Sequence, residues 1–128
     1  MKIHESAENY LETILILSLQ HPSVRSIDIA TELNFSKPSV SVAMKNLREN
    51  GYILVDDHGH ISLTDSGRQI AETIYERHTL ISACLESLGV DSKTASEDAC
   101  RIEHVISPKS FQALKDHVRG KVVVKQNK

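Results

Sequence analysis

Residues 26–63, SIDIATELNFSKPSVSVAMKNLRENGYILVDDHGHISL, carry the pattern that sets the fold class. The first half predicts two helices joined by a tight turn. Ser26 is a typical N-cap for a helix over residues 27–33, and Asn34 tolerates the left-handed backbone that such a turn requires. Ser36 is the expected N-cap of the second helix, which has a proline in its first turn, where the missing N–H costs little. These features predict a helix-turn-helix.

The two helices each have an apolar and a polar side. The predicted shared core consists of Ile27, Ala30, Leu33, Val40, Met44 and Leu47. The other side of the second helix carries hydroxyl and cationic groups, which suit phosphates and base edges where a recognition helix meets DNA. We therefore predict DNA contacts from Ser36, Lys37, Pro38, Ser39, Ser41, Val42, Lys45 and Arg48.

A two-stranded hairpin is predicted directly after the helix-turn-helix. Gly51 ends the second helix, residues 52–55 and 60–63 are strand-like, and residues 56–59 form the turn. A helix-turn-helix followed by a hairpin is a winged helix, so DNA binding is favoured over a generic pair of packed helices. The two aspartates in the turn repel phosphate, and we expect the wing to add little affinity for DNA.

Further helices are predicted on both sides of the winged helix. One covers residues 5–20 and ends at a His-Pro-Ser sequence. A long helix opens at Thr64 and runs to about Leu88, the next one extends to about Ile106, and the last begins at Ser107. The chain is therefore predicted to be mainly α-helical, with a small two-stranded wing.

A candidate metal-binding motif lies in the helix before residue 106. Cys100, Glu103 and His104 have i, i+3, i+4 spacing, which places three side chains on one face of a helix. A thiolate, a carboxylate and an imidazole all bind first-row transition metals. The alternative is a small buried cysteine beside a solvated Glu-His pair.

Other helices offer further ligands. His78 lies in the apolar stripe of the long helix, where a lone histidine is usually a core residue with satisfied hydrogen bonds. Asn9 and Glu12 are i, i+3 neighbours on the first helix, and the alternative for them is a solvated acidic first turn that complements the helix dipole. The combined set suits Fe(II) or Mn(II) better than a closed tetrahedral zinc site. The candidate six-ligand shell is Asn9, Glu12, His78, Cys100, Glu103 and His104.

Composition limits the class of protein. Hydrophobic residues make up 40% of the 128-residue chain, enough for a packed core. No run approaches the roughly eighteen apolar residues of a membrane span, and the N-terminus lacks the apolar core of a signal peptide. Two cysteines in such a chain predict free thiols rather than a disulfide. We expect a cytoplasmic protein that does not bind membranes.

Charge is unevenly distributed along the chain. The formal net charge is −2, but residues 119–128 carry four cationic side chains and no acid, so the remaining residues stand at −6. This excess of acidic side chains in residues 1–118 is consistent with carboxylates that bind a cation. Residues 119–128 are predicted to form a short basic tail.

The chain resembles the diphtheria-toxin-repressor family of iron- and manganese-dependent regulators over residues 6–118. The most specific segment is DACRIEHVIS at residues 98–107, and SAENYLE at 6–12, SKPSVS at 36–41 and LTDSG at 63–67 add to it, as does the pair Arg77-His78. The resemblance implies a homodimeric winged-helix repressor that binds palindromic operators when loaded with Fe(II) or Mn(II) and controls metal-uptake genes. It also implies a DNA-binding domain over residues 1–63 and a helical dimerisation and metal-binding domain over residues 64–118.

Residue by residue, the chain combines the two branches of that family. Glu12, His78, Glu103 and His104 fall where manganese-type members keep ligands. Cys100 falls where iron-type members keep a cysteine, and Asn9 occupies a ligand position usually filled by Asp or Met. Ser82 and Ser96 stand where iron-type members keep the ligands of a further site, so no such site is expected.

Two other functions are compatible with parts of the sequence. The first is a metal-independent winged-helix transcription factor in which Asn9 and Cys100 mark a degenerated site. The second is an enzyme that uses Cys100 as nucleophile and His104 as base. The enzyme hypothesis is disfavoured because one helix face offers no oxyanion hole, orienting group or substrate loop.

Overall fold

The computed structural model describes residues 5–118, which form six helices and a two-stranded antiparallel sheet. This confirms the predicted mainly α-helical fold with a small wing, and the predicted basic tail lies outside the described residues. The helices and strands are α1 (Glu5–Gln20), α2 (Ser26–Leu33), α3 (Lys37–Glu49), β1 (Ile53–Val55), β2 (Ile61–Leu63), α4 (Asp65–Ser87), α5 (Ser92–Ile102) and α6 (Pro108–Val118).

The described residues group into two compact units, 5–72 and 73–118. The boundary falls within α4. The domain limits predicted from the sequence, 1–63 and 64–118, stay a prediction. Among residues 5–118, no helix combines the length and the apolar character needed to cross a bilayer.

The turn between α2 and α3 forms as the sequence predicts. Asn34 has φ 57° and ψ 43°, in the left-handed region. Ser36 is the N-cap of α3, and its hydroxyl oxygen accepts a hydrogen bond from the backbone N–H of Ser39 at 3.3 Å. Gly51, with φ 79°, follows α3 and ends it. Local side-chain chemistry therefore fixes the geometry of the helix-turn-helix.

Two details of α2 differ from the prediction. Ser26 is the first helical residue rather than the N-cap, which is Arg25, whose backbone N–H donates to the Asp28 carboxylate at 2.8 Å. Ile27 is 43% exposed, and the core position belongs to Ile29, which is fully buried. Because residues 27 and 29 lie about 160° apart on a helix, only one of them can face the core.

The wing is a short hairpin in which Ile53 pairs with Leu63 and Val55 with Ile61. At its tip the Asp56 carboxylate accepts hydrogen bonds from the backbone N–H groups of His60 and His58, at 2.8 and 2.9 Å. These hydrogen bonds, chiefly the one from His60, hold the pKa of Asp56 below its ordinary value. The tip thus keeps a negative charge near neutral pH.

The start of α4 packs closely against the chain that enters β1. The Thr64 hydroxyl accepts from the backbone N–H of Gly67 at 3.2 Å and donates to the Gly51 carbonyl at 2.7 Å. The backbone N–H of Thr64 donates to the Tyr52 carbonyl at 3.1 Å. A Cβ at position 67 would lie 2.0 Å from that same carbonyl oxygen.

We expect Gly67→Ala to destabilise the first unit by roughly 3 kcal/mol, the upper part of the range for overpacking a tight contact. The clash involves backbone atoms held by hydrogen bonds, so a side-chain rotation cannot relieve it. Urea unfolding followed by circular dichroism measures the change, and Arg68→Ala, at an exposed position one residue later, is the control. Equal midpoints for the two variants would contradict this account of the contact.

The second unit has its own apolar core. Leu80, Ile81, Ala99 and Phe111 are buried together, and Cys84 packs against them. Burial raises the pKa of the Cys84 thiol, which is consistent with a small core residue. Asp91 and Ser107 cap the two later helices: the Asp91 carboxylate accepts from the backbone N–H of Thr94, and the Ser107 hydroxyl oxygen accepts from that of Ser110.

The end of α5 differs from the prediction. The sequence predicts a helix to about Ile106, but α5 ends at Ile102, and Glu103 is its C-cap. Glu103 keeps helical φ and ψ of −58° and −28°, and its N–H still donates to Ala99. The backbone then tightens, since the N–H of Val105 donates to the Ile102 carbonyl. The candidate metal-binding motif therefore spans the last turn of α5 and the turn that follows it.

Candidate metal centre and DNA-binding surface

Glu103 is the centre of the candidate metal site in the second unit. Its side chain is fully buried, and neither carboxylate oxygen receives a hydrogen bond. Oε2 lies 3.5 Å from Nδ1 of His78, and Oε1 lies 3.7 Å from Nε2 of His104. A buried carboxylate without hydrogen bonds is costly unless a cation compensates its charge.

Cys100 brings a sulfur atom to the same cluster. One ligand atom each from Cys100, Glu103 and His104 can be chosen so that all lie within 4.8 Å of one another. Cys100 is an exposed residue, whereas the side chain of His104 is almost fully buried. The set of sulfur, oxygen and nitrogen atoms fits a first-row divalent metal, and the oxygens of Glu103 supply a charge that such an ion would balance.

His78 is oriented by contacts at both ring nitrogens. Nδ1 faces Glu103, and Nε2 lies 3.4 Å from the hydroxyl oxygen of Ser96 on α5. Ligating histidines commonly bind the metal through one nitrogen while a hydrogen bond holds the other. The arrangement favours a ligand role for His78 over that of a simple core histidine, and the contact with Ser96 is one that the sequence alone does not reveal.

Arg77 holds the turn that contains Glu103. Its Nη1 donates to the backbone carbonyl of Glu103 at 3.1 Å and to that of Ile106 at 3.0 Å. Its guanidinium carbon lies 5.7 Å from the centre of the Phe111 ring on α6. Arg77 thereby joins three segments of the second unit around the ligand cluster. Only the presence of an arginine directly before His78 hints at this role in the sequence.

Replacing Arg77 with alanine is expected to weaken metal binding roughly 10-fold, as loss of an outer contact to a ligand usually does. It should also lower the free energy of unfolding by about 2 kcal/mol, because two hydrogen bonds from a charged group are lost. Calorimetric titration and urea unfolding measure the two effects. Arg101→Ala is the control, since Arg101 pairs with Asp98 on the exposed side of α5. Wild-type metal affinity in the Arg77 variant would refute the role.

The remaining predicted ligands, Asn9 and Glu12, lie on α1 in the first unit. Asn9 is half-buried, and Glu12 is only 5% exposed. This burial contradicts the alternative of a solvated acidic turn for Glu12. The structure thus brings His78, Cys100, Glu103 and His104 together within the second unit, and it places Asn9 and Glu12 in the other one.

The predicted DNA-binding side chains lie on the outer face of α3 and at its N-cap. Every residue of this set is exposed, whereas Val40, Met44 and Leu47 are buried on the opposite side of the helix. The first turn of α3 contains no acidic residue. The exposed set is Ser36, Lys37, Pro38, Ser39, Ser41, Val42, Lys45 and Arg48.

A basic cavity of about 280 Å³ opens along this helix. Lys45, Arg48 and Ser41 of α3 line it together with Ser26, at the start of α2, and two apolar residues. Within residues 5–118, neither Lys45 nor Arg48 forms an ion pair with an acidic side chain. Two unneutralised cations beside hydroxyl groups are suited to backbone phosphates of nucleic acid.

Two family models together match nearly the whole chain. Residues 2–61 match "Iron dependent repressor, N-terminal DNA binding domain". Residues 64–120 match "Iron dependent repressor, metal binding and dimerisation domain".

Individual relatives agree with these matches. The chain is 35% identical to an HTH-type transcriptional regulator of Methanocaldococcus jannaschii over 87% of its own length and 90% of the relative's. It is 31% identical to the transcriptional regulator MntR of Salmonella typhimurium, over 86% of this chain and 70% of MntR. The solved structure of the manganese regulator SloR superposes with a TM-score of 0.79 at 28% identity, covering 93% of this chain. The chain spans only 55% of that SloR structure, about half its length.

Proposed function

The chain belongs to the iron-dependent repressor family of metal-dependent transcriptional regulators, and we propose that it represses metal-uptake genes when loaded with Fe(II) or Mn(II). The resemblance found in the sequence is thereby confirmed. The observation that carries the proposal is the buried carboxylate of Glu103, which lies beside two imidazoles and a thiol and lacks hydrogen bonds. The exposed polar face of α3 supplies the DNA-binding surface.

In this proposal each ligand has a defined role. Glu103 provides carboxylate oxygen, His78 and His104 provide ring nitrogen, and Cys100 provides thiolate sulfur. Asn9 and Glu12 complete the shell with an amide carbonyl and a carboxylate from α1. When bound, the divalent cation supplies the positive charge that balances the buried carboxylates.

The link between metal and DNA follows from where these ligands lie in the chain. Four belong to the second unit, whereas Asn9 and Glu12 belong to the unit that contains α3. A metal ion held by ligands from both units would couple metal occupancy to the affinity of a homodimer for both halves of a palindromic operator. A coupling of this kind typically amounts to about 1–3 kcal/mol, or a 5–150-fold gain in DNA affinity.

A repressor of this kind works on double-stranded DNA in the cytoplasm. Cys100 and His104 serve as ligands in it, and we propose no catalytic role for the pair.

Anaerobic calorimetric titration tests the proposal. Fe(II), Mn(II) and Zn(II) are added in turn to chelator-stripped protein, and selection from a pool of random duplexes is performed with and without each metal. We expect tight binding of Fe(II) or Mn(II) and selection of a palindrome only in its presence. Selection that is unchanged by chelator would instead indicate a metal-independent regulator, and no selection under any condition would refute the assignment to DNA.

A further inference from the structure

Val42 is the most unusual residue on the DNA-binding face. It is 60% exposed, although valine is an apolar residue, and the positions beside it on the outer side of α3 are polar. At about 100° per residue, Val42 lies about 160° from the buried Val40 and Met44. Its side chain therefore points away from the core of the first unit.

The flanks of Val42 are asymmetric. Lys45, Ser41 and Arg48 lie toward one side of the helix, where they line the basic cavity. Ser39 and Asn46 lie toward the other side and are exposed. Phosphate contacts on the cationic side fix how the helix is rotated in a groove, because they set its distance from one DNA strand. A helix placed in this way would hold Val42 toward the floor of the groove, between the two flanks.

We propose that Val42 contacts the C5 methyl group of a thymine in each operator half-site and so acts as a specificity-determining residue. This inference rests on the proposed function, since it requires α3 to enter the major groove. There, the edges of the bases present hydrogen-bond donors and acceptors, and the thymine methyl is the apolar feature. An isopropyl side chain makes no hydrogen bond, and of these features it complements only the methyl group.

The test replaces thymine with deoxyuridine, which removes the methyl group and leaves base pairing intact. In a palindrome selected by the metal-loaded protein, symmetric pairs of thymines are exchanged one pair at a time. We expect the exchange of one such pair to lower the affinity of the wild type for DNA about 10–20-fold. This corresponds to about 3–5-fold for each buried methyl group that is removed. The other exchanges should change affinity little.

Val42→Ser identifies the contact, because a hydroxyl group makes no favourable apolar contact with the thymine methyl group. The variant should bind the thymine and deoxyuridine operators equally well, whereas Val42→Ile should keep the preference. Leu19→Ser is the matched control, since Leu19 on α1 is 57% exposed and lies outside the predicted surface. Val42 is itself exposed, so its replacement leaves the core intact.

The outcomes separate this inference from the proposed function. Metal-dependent selection of a palindrome with no sensitivity to any deoxyuridine exchange overturns the role of Val42 and leaves the repressor intact. Equal sensitivity in the wild type and Val42→Ser does the same. A selected palindrome without thymine also overturns the inference, and failure to select any DNA overturns both proposals.

Discussion

Replacing Glu103 with glutamine is expected to remove the increase in melting temperature that Mn(II) or Fe(II) gives the wild type. At a free metal concentration about 100 times the dissociation constant, binding to the folded state contributes about 2.7 kcal/mol. For a domain of this size that corresponds to a rise of roughly 10 °C. Glutamine keeps the volume of the side chain but removes the charge on which the candidate site depends.

The metal-free protein should respond to this substitution in the opposite direction. Glu103 is fully buried without hydrogen bonds to its oxygens, so its negative charge is costly when no cation is bound. We therefore expect the chelator-treated variant to melt at or above the temperature of the chelator-treated wild type. A general packing defect would lower the melting temperature of the variant both with and without metal. Loss of a ligand would instead abolish the response to metal, while the metal-free melting temperature stays the same or rises.

Two further variants complete the measurement. Glu97→Gln makes the same chemical change on the exposed side of α5 and should keep the full metal response. His104→Ala should abolish the metal-dependent gain in DNA affinity, expected to be 5–150-fold, while the fold remains. Wild-type melting and DNA-binding responses to metal in Glu103→Gln and His104→Ala would show that the site is assigned to the wrong residues.

The sequence predicts the helix-turn-helix well because its signals are local. Asn34 tolerates the left-handed backbone of the turn, and Ser36 caps the helix that immediately follows it. The hairpin is correct for the same reason. Each of these structures depends on contacts between residues a few positions apart, which a single sequence displays directly.

The errors arise where distant parts of the chain determine the structure. α5 ends at Ile102 rather than near Ile106, and Arg77, which is remote in sequence, holds the carbonyls of the turn that follows. The choice of Ile29 over Ile27 for the core depends on which side of α2 meets its neighbours. The Cys100, Glu103 and His104 cluster could be predicted from spacing, but the geometry around Arg77 and Ser96 could not.

The double variant Lys45→Gln, Arg48→Gln is expected to have the largest effect on DNA binding. Both side chains line the basic cavity beside the outer face of α3. In a homodimer the substitutions remove about four phosphate contacts, each of which contributes about 0.9 to the slope of log affinity against log salt. The slope should become shallower by about 3.6.

Such a change in slope has a large consequence at low salt. The ratio of wild-type to variant DNA affinity should be about 150-fold larger at 50 mM salt than at 200 mM salt. Glutamine removes the charge and keeps a polar side chain at each position. The control is Lys93→Gln, Lys109→Gln, which removes the same charge from exposed positions of the second unit. If both double variants reduce the slope equally, net charge rather than the cavity governs binding, and the assignment of Lys45 and Arg48 to phosphates is wrong.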